Sequence, residues 1–247
     1  YCSFVTLRLG FEARFWMTIN EPLVWASAGY LKGTWPPFKK TPTTFLKIFK
    51  VLALAHKQAY KAMKSNNPEL QIGIAKHNIY FSSDWKPWNI AMEWAASWFW
   101  NRRFLNMIKE HQDFIGLNYY FYRKFGKSEQ LPKSDMGWDI YPEGLYYCLV
   151  ELGRYKKPLC ITENGVADRR DVMRKSFIED SVKNVQQAIT VGLPVIGYFY
   201  WSLLDNYEWL FGFEERFGLV AVDYETFERT IRPSALAYKQ IIEKNVL

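Results

Sequence analysis

Five apolar, β-type runs, at residues 13–20, 71–76, 113–119, 158–163 and 194–201, are each followed by a loop and then by a stretch with helical spacing. This alternation restricts the fold more than any other property of the chain. A strand that rejoins its sheet through a helix runs parallel to its neighbour, whereas antiparallel neighbours need only a hairpin turn, and no hairpin turn separates these runs. The helical stretches are read at residues 43–65, 88–111, 142–152, 171–191 and 233–244. In the first, Leu52, Ala55, Ala59 and Met63 repeat at helical spacing opposite a row of lysines. Pro142 and Pro233 suit first-turn positions, and Gly192 suits a helix end.

Five strands do not close a barrel of eight. Residues 1–9 read as the tail of a further helix, so a preceding β-α unit is expected outside this sequence. No Ser/Gly-rich linker and no internal repeat beyond the β-α period divides the chain, which is read as one partial domain over residues 1–247. The long loops, 33–42, 122–141 and 206–232, all follow strand carboxyl ends, where such folds build their pockets.

With 49% hydrophobic and 18% aromatic residues, the 247-residue chain can fill a large core, and this excludes collagen-like and disordered classes. Its formal charge of +7 is spread out. Lys47, Lys50, Lys57, Lys61 and Lys64 are read as the solvated face of one helix, and no nucleic-acid partner is expected. Cys2, Cys148 and Cys160 have no metal-ligand spacing, and Cys160 lies in an apolar strand, which predicts a buried free thiol and fits a reducing compartment. No run of eighteen apolar residues and no signal peptide is present, so a cytoplasmic protein without a membrane partner is expected.

The chemistry is sought where two of these runs end, at Thr18-Ile19-Asn20-Glu21-Pro22 and Ile161-Thr162-Glu163-Asn164-Gly165. A carboxylate at the end of a buried strand needs a partner or a purpose, and a pair of them suits glycoside hydrolysis, which requires one acid and one anion. Each glutamate has a plainer reading as well. Asn20 and Pro22 could start a helix, and Glu163 could accept hydrogen bonds in a turn. The block from Trp201 to Trp209 adds aromatic faces and the carboxylate of Glu208, which suit stacking on sugar rings and accepting hydroxyl bonds. No metal cluster, phosphate loop or cofactor motif is apparent. His56, His77 and His111 are read as surface or helix-end residues.

Six blocks in order resemble glycoside hydrolase family 1, the β-glucosidase and β-galactosidase family. They are residues 15–22, 113–120, 136–144, 161–165, 200–209 and 216–220. The resemblance spans practically the whole chain and implies a (β/α)8 TIM barrel, incomplete here and covering roughly strands four to eight. It implies a retaining double displacement on non-phosphorylated O-linked β-glucosides or related β-glycosides. Glu21 would be the general acid/base and Glu163 the nucleophile. Asn20 would hold the sugar 2-hydroxyl, with Asn118 and Tyr120 beside the nucleophile. Trp201, Glu208, Trp209 and Phe217 would line the glycone subsite, and Trp138 would form the platform for the leaving group. Relatives also supply a glutamine, an arginine and a His-Trp pair from strands one to three, segments this sequence does not contain. A non-catalytic sugar- or partner-binding protein on the same scaffold is the alternative. The run of Trp85, Trp88, Trp94, Trp98 and Trp100 is read as helix packing rather than an extra sugar platform.

Overall fold

All five apolar runs form strands in the computed structural model, which describes residues 1–127 and 129–244. The chain opens with α1 (Cys2–Leu9) and β1 (Phe15–Asn20), followed by a short α2 (Pro22–Ser27) that continues into a π-helical turn at Ala28–Lys32. Next come α3 (Pro42–Asn66), β2 (Gln71–Ser83), α4 (Pro87–Ser97), a π-helical segment at Trp98–Arg102 and α5 (Arg103–Ile108). The remainder is β3 (Ile115–Phe125), α6 (Glu143–Gly153), β4 (Leu159–Asn164), α7 (Arg174–Thr190), β5 (Val195–Tyr200), a hairpin of β6 (Val220–Val222) and β7 (Arg229–Ile231), and α8 (Pro233–Lys244).

The strands β1 to β5 form one sheet in chain order, and every adjacent pair is parallel. Period-two alternation separates its faces. Ile115, Leu117 and Tyr119 of β3, with Leu159 and Ile161 of β4, join the main core against the helices, among them Phe49, Phe104, Leu145 and Leu149. The intervening Gly116, Asn118, Tyr120 and Thr162 belong to the opposite face. Among the described residues, no strand pairs with the outer edge of β1 or of β5. Phe15, Met17, Ile196 and Phe199 are exposed there.

Several expectations are corrected. The strands read at 71–76 and 113–119 run on to Ser83 and Phe125, pairing as a ribbon from Ile79↔Phe121 to Ser83↔Phe125. Stacked cross-strand rings support the extension, Tyr80 on Tyr122 at 5.6 Å and Phe81 on Phe125 at 6.0 Å. The helix read at 88–111 is broken at its π-helical segment. There the buried Asn101 bonds both the Ile79 backbone and Glu151, which draws that turn onto β2. The loop read at 206–232 contains the β6-β7 hairpin.

On α3 the buried residues are Phe45, Phe49, Ala53, His56 and Met63, and Ala55 of the expected stripe is exposed. Two phenyl rings bury far more area than two alanines, so they orient the helix. His56 is fully buried rather than at the surface: its Nδ1 meets the Thr18 hydroxyl at 2.6 Å and its Nε2 donates to the His111 carbonyl at 2.6 Å. His77 is buried in β2, with Nδ1 accepting from Trp100 Nε1 at 3.1 Å. Trp85, Trp88, Trp94 and Trp98 are exposed, so the expected helix packing holds only for Trp100. All three cysteines are free, with Cys148 and Cys160 buried.

Candidate active site

The carboxyl ends of the strands supply every candidate residue. At the end of β1, Glu21 takes a left-handed backbone conformation, φ +48° and ψ +57°, which costs a non-glycine residue on the order of 1 to 2 kcal/mol. The Glu21 N–H is held by the Ala75 carbonyl at 2.8 Å, and α2 begins at Pro22. The main chain therefore turns at the glutamate itself.

Two strands away, Asn118 of β3 stands in register with Glu163 of β4 and is fully buried. The Thr162 hydroxyl donates to Asn118 Oδ1 at 2.6 Å, which orients the amide. Its Nδ2 then donates to Glu21 Oε1 at 2.9 Å and to Asn20 Oδ1 at 3.1 Å. The Tyr120 hydroxyl donates to Glu163 Oε2 at 2.9 Å. Ala75 lies between, paired with Asn20 on one side and Gly116 on the other, so the curl of the sheet brings β1 and β3 side chains together over a small residue.

Burial first, and then the charge of Glu163, raise the Glu21 pKa to about 7 against the opposing Asn118 bond and Lys76 ammonium. Burial also raises Glu163, while Tyr120, Asn118 and Asn20 stabilise its anion. Tyr120 is held well above its ordinary range, by burial first and then by Glu163, so its phenol keeps its proton and donates. Glu208 is raised as well, chiefly by burial, and its charge is felt at Glu21, Glu163 and Tyr120. Three carboxyls thus share one site, and the acid best suited to remain protonated is Glu21.

Aromatic rings wall the site. Trp138 packs against Phe121 at 4.4 Å and meets Tyr120 edge-on at 6.0 Å. Phe217, only 1% exposed, stands behind both, 6.3 Å from Tyr120 and 6.2 Å from Trp138. Trp201 follows β5, and its N–H donates to the Asn164 carbonyl at 3.0 Å. A Cβ on Gly165 would lie 1.9 Å from the Trp201 carbonyl oxygen, so glycine is required after Glu163-Asn164 for these two loops to touch. The indole of the exposed Trp209 stacks on Trp35 at 4.4 Å, which ties the loop after β1 to the loop after β5.

Three residues of this site carry no role in the sequence reading. Thr162 lies inside the quoted motif, but only its bond to Asn118 reveals that it aims the amide. Trp35 lies in a proline-rich loop with no local sign of its partner. Asp205 accepts a bidentate pair from Arg232 at 2.9 and 3.0 Å, and the Gly218 N–H at 2.9 Å. It thereby anchors the loop carrying Glu208 to the hairpin. Among the described residues, no group of three or more His, Cys, Asp or Glu side chains is arranged to hold a metal ion.

Known proteins resemble the chain over nearly its whole length. Glycosyl hydrolase family 1 matches over residues 1–102 and 91–247. Beta-glucosidase A of Acetivibrio thermocellus is 31% identical across 99% of this chain and 67% of its own length. Beta-galactosidase of Saccharolobus solfataricus is 34% identical across 91% of this chain and 54% of its own. The solved family 1 β-glucosidase of Thermotoga maritima superposes with a TM-score of 0.92 at 30% identity, over 99% of this chain and 67% of that one. The chain thus spans about half to two thirds of these relatives, and its curled five-stranded parallel sheet is an incomplete (β/α)8 barrel. Fold, motif order and family match converge, and the chain belongs to glycosyl hydrolase family 1.

Proposed function

We propose that this polypeptide carries the catalytic half of a retaining β-glycosidase acting on non-phosphorylated, O-linked β-glucosides or related β-glycosides. The observation that supports this most is the polar chain Thr162–Asn118–Glu21, with Tyr120 on Glu163, which holds two carboxyls in one buried site with different demands on their protons. In the first step a Glu163 oxygen attacks the anomeric carbon as the bond to the leaving oxygen breaks, and Glu21 gives that oxygen its proton. Forming the glycosyl ester removes the negative charge of Glu163, which lowers the Glu21 pKa. Glu21 then takes a proton from water, and the water oxygen displaces Glu163.

The remaining roles are those that the resemblance to the family implies. Asn20 would bind the 2-hydroxyl, Asn118 and Tyr120 would hold the two carboxyls, and Trp201, Trp209 and Trp138 would offer faces for the sugar and its leaving group. Phe217 would support Tyr120 and Trp138 from behind. Glu208 can accept two sugar hydroxyl bonds, and as a third carboxylate it disfavours a phosphorylated sugar. A small neutral glycoside is therefore the expected ligand.

Trapping tests the reading, because it needs one turnover rather than many. Incubation with an activated 2-fluoro-β-glucoside should add one fluoroglycosyl group, and peptide mapping should locate it on Glu163. An adduct elsewhere, or none while sugar binding persists, would favour a non-catalytic sugar-binding protein. The open sheet edges are what give that alternative weight.

A further inference from the structure

Every exposed side chain between Pro87 and Trp98 is apolar, so α4 turns its greasy side outward. Its polar residues face inward. Asn89 donates to Asp84 at 2.6 Å, Glu93 accepts from Ser83 at 2.5 Å, and Ser97 bonds Glu151. Trp88 and Trp94 are each 61% exposed, Ile90, Met92 and Trp98 are exposed beside them, and Trp85 in the preceding turn is 83% exposed. A surface helix normally does the reverse, and a contiguous apolar face of this kind marks a contact surface. The helix lies between β2 and the π-helical segment, away from the unpaired edges of β1 and β5.

Cations ring this face. The Lys86 ammonium lies 5.8 Å from the Trp88 ring centre, the Arg102 guanidinium 5.7 Å from Trp94 and that of Arg103 5.5 Å from Trp98. At its amino-terminal end a cleft of about 440 Å³ is lined by Lys86, Lys124 and Lys127 against Asp84 and Glu129. Both carboxylates there are engaged, Asp84 by Asn89 and the Lys86 N–H, and Glu129 by Lys124. A second copy of a chain with charge +7 would set these cations against each other. An anionic lipid surface instead matches both parts: the indoles enter the headgroup boundary, and the exposed Lys86 and Lys127 meet phosphates.

We propose that α4 is an interfacial helix that binds the chain peripherally to anionic membranes through Trp88, Trp94 and the flanking cations. The expectation of no membrane partner rested on the lack of a spanning segment. No described helix is long and apolar enough to cross a bilayer, but a helix lying in the headgroup plane has no such requirement. The proposal is independent of the glycosidase reading, since none of its residues belongs to the candidate active site.

Flotation with vesicles tests it and separates bound protein, which rises, from aggregate, which sinks. The 247-residue chain should float with phosphatidylcholine vesicles containing a quarter phosphatidylglycerol, and should float at least tenfold less with phosphatidylcholine alone. Raising salt from about 50 to about 500 mM should release most of it, because Lys86 and Lys127 are exposed. W88Q/W94Q should lose at least tenfold in affinity while keeping the wild-type circular dichroism and Tm, and K86Q should lose a smaller factor. Failure to float with the anionic vesicles, or equal flotation of W88Q/W94Q, overturns the proposal. So does concentration-dependent self-association that W88Q/W94Q abolishes, which would assign the face to a second copy.

Discussion

At residue scale, the site depends on a carboxyl that folding makes a weaker acid. The Glu21 pKa rises from 4.5 to about 7, so the folded chain binds a proton that the unfolded chain releases between those values. Its protonated form therefore contributes stability that is full below about pH 4.5 and is lost as pH rises through about 7. E21Q keeps the shape and cannot ionise. By the conversion of about 1.4 kcal/mol per pKa unit, it should be more stable than the parent above pH 7, by up to about 3 kcal/mol, and nearly equal to it at pH 4.5. Urea unfolding at the two pH values measures this. The same variant should lose at least about a hundredfold in cleavage of glycosides with poor leaving groups, because proton donation to the departing oxygen is removed. Equal stability differences at both pH values would show that Glu21 is not the perturbed acid. The glutamates were legible as candidates because a charge at the end of an apolar run is anomalous. The aim of Asn118 was not, since the direction of an amide depends on Thr162, a residue 44 positions away.

At the scale of elements, His56 ties α3 to β1 and to the turn after α5. Its Nε2 faces the His111 carbonyl, which can only accept, so Nε2 carries the proton and Nδ1 accepts from Thr18. Burial lowers its pKa to about 4, so the neutral ring is the folded form. With the folded value below the ordinary 6.5, this contribution is full above about pH 6.5 and is lost as pH falls through about 4. H56L should leave the His111 carbonyl unpaired and Thr18 with only its longer bond to the Gly73 carbonyl at 3.4 Å, costing about 1 to 3 kcal/mol at pH 7, and should weaken the acid sensitivity of unfolding. Denaturant titrations at pH 7 and pH 4.5 provide the check, and an unchanged midpoint at pH 7 would rule out the coupling. Strand and helix order was readable from hydrophobic period, and the boundaries of β1, β4, β5 and α8 fall within two residues of the sequence reading. The extension of β2 and β3 was not readable. Past the sheet, each strand is held by the other's rings, and such pairing exists only once the two are adjacent.

For the whole molecule, the decisive property is an open sheet. The edges of β1 and β5 carry unsatisfied pairing groups beside exposed Phe15, Met17, Ile196 and Phe199, a surface prone to association. The isolated 247-residue polypeptide is expected to have low solubility and to hydrolyse an aryl β-glucoside only feebly. Robust steady-state turnover by monodisperse material would refute this. Alternation of strand and helix, the absence of hairpins between the five sheet strands and two carboxylate motifs at strand ends determined the parallel sheet and its chemical end from sequence alone, because period and chain direction are local properties. Tertiary structure alone decided which amide faces Glu21, that His56 and His77 are buried, and that the tryptophans of α4 face outward. Those outcomes depend on which surfaces meet across the chain, and the free energy of burial is shared between partners that no local window contains.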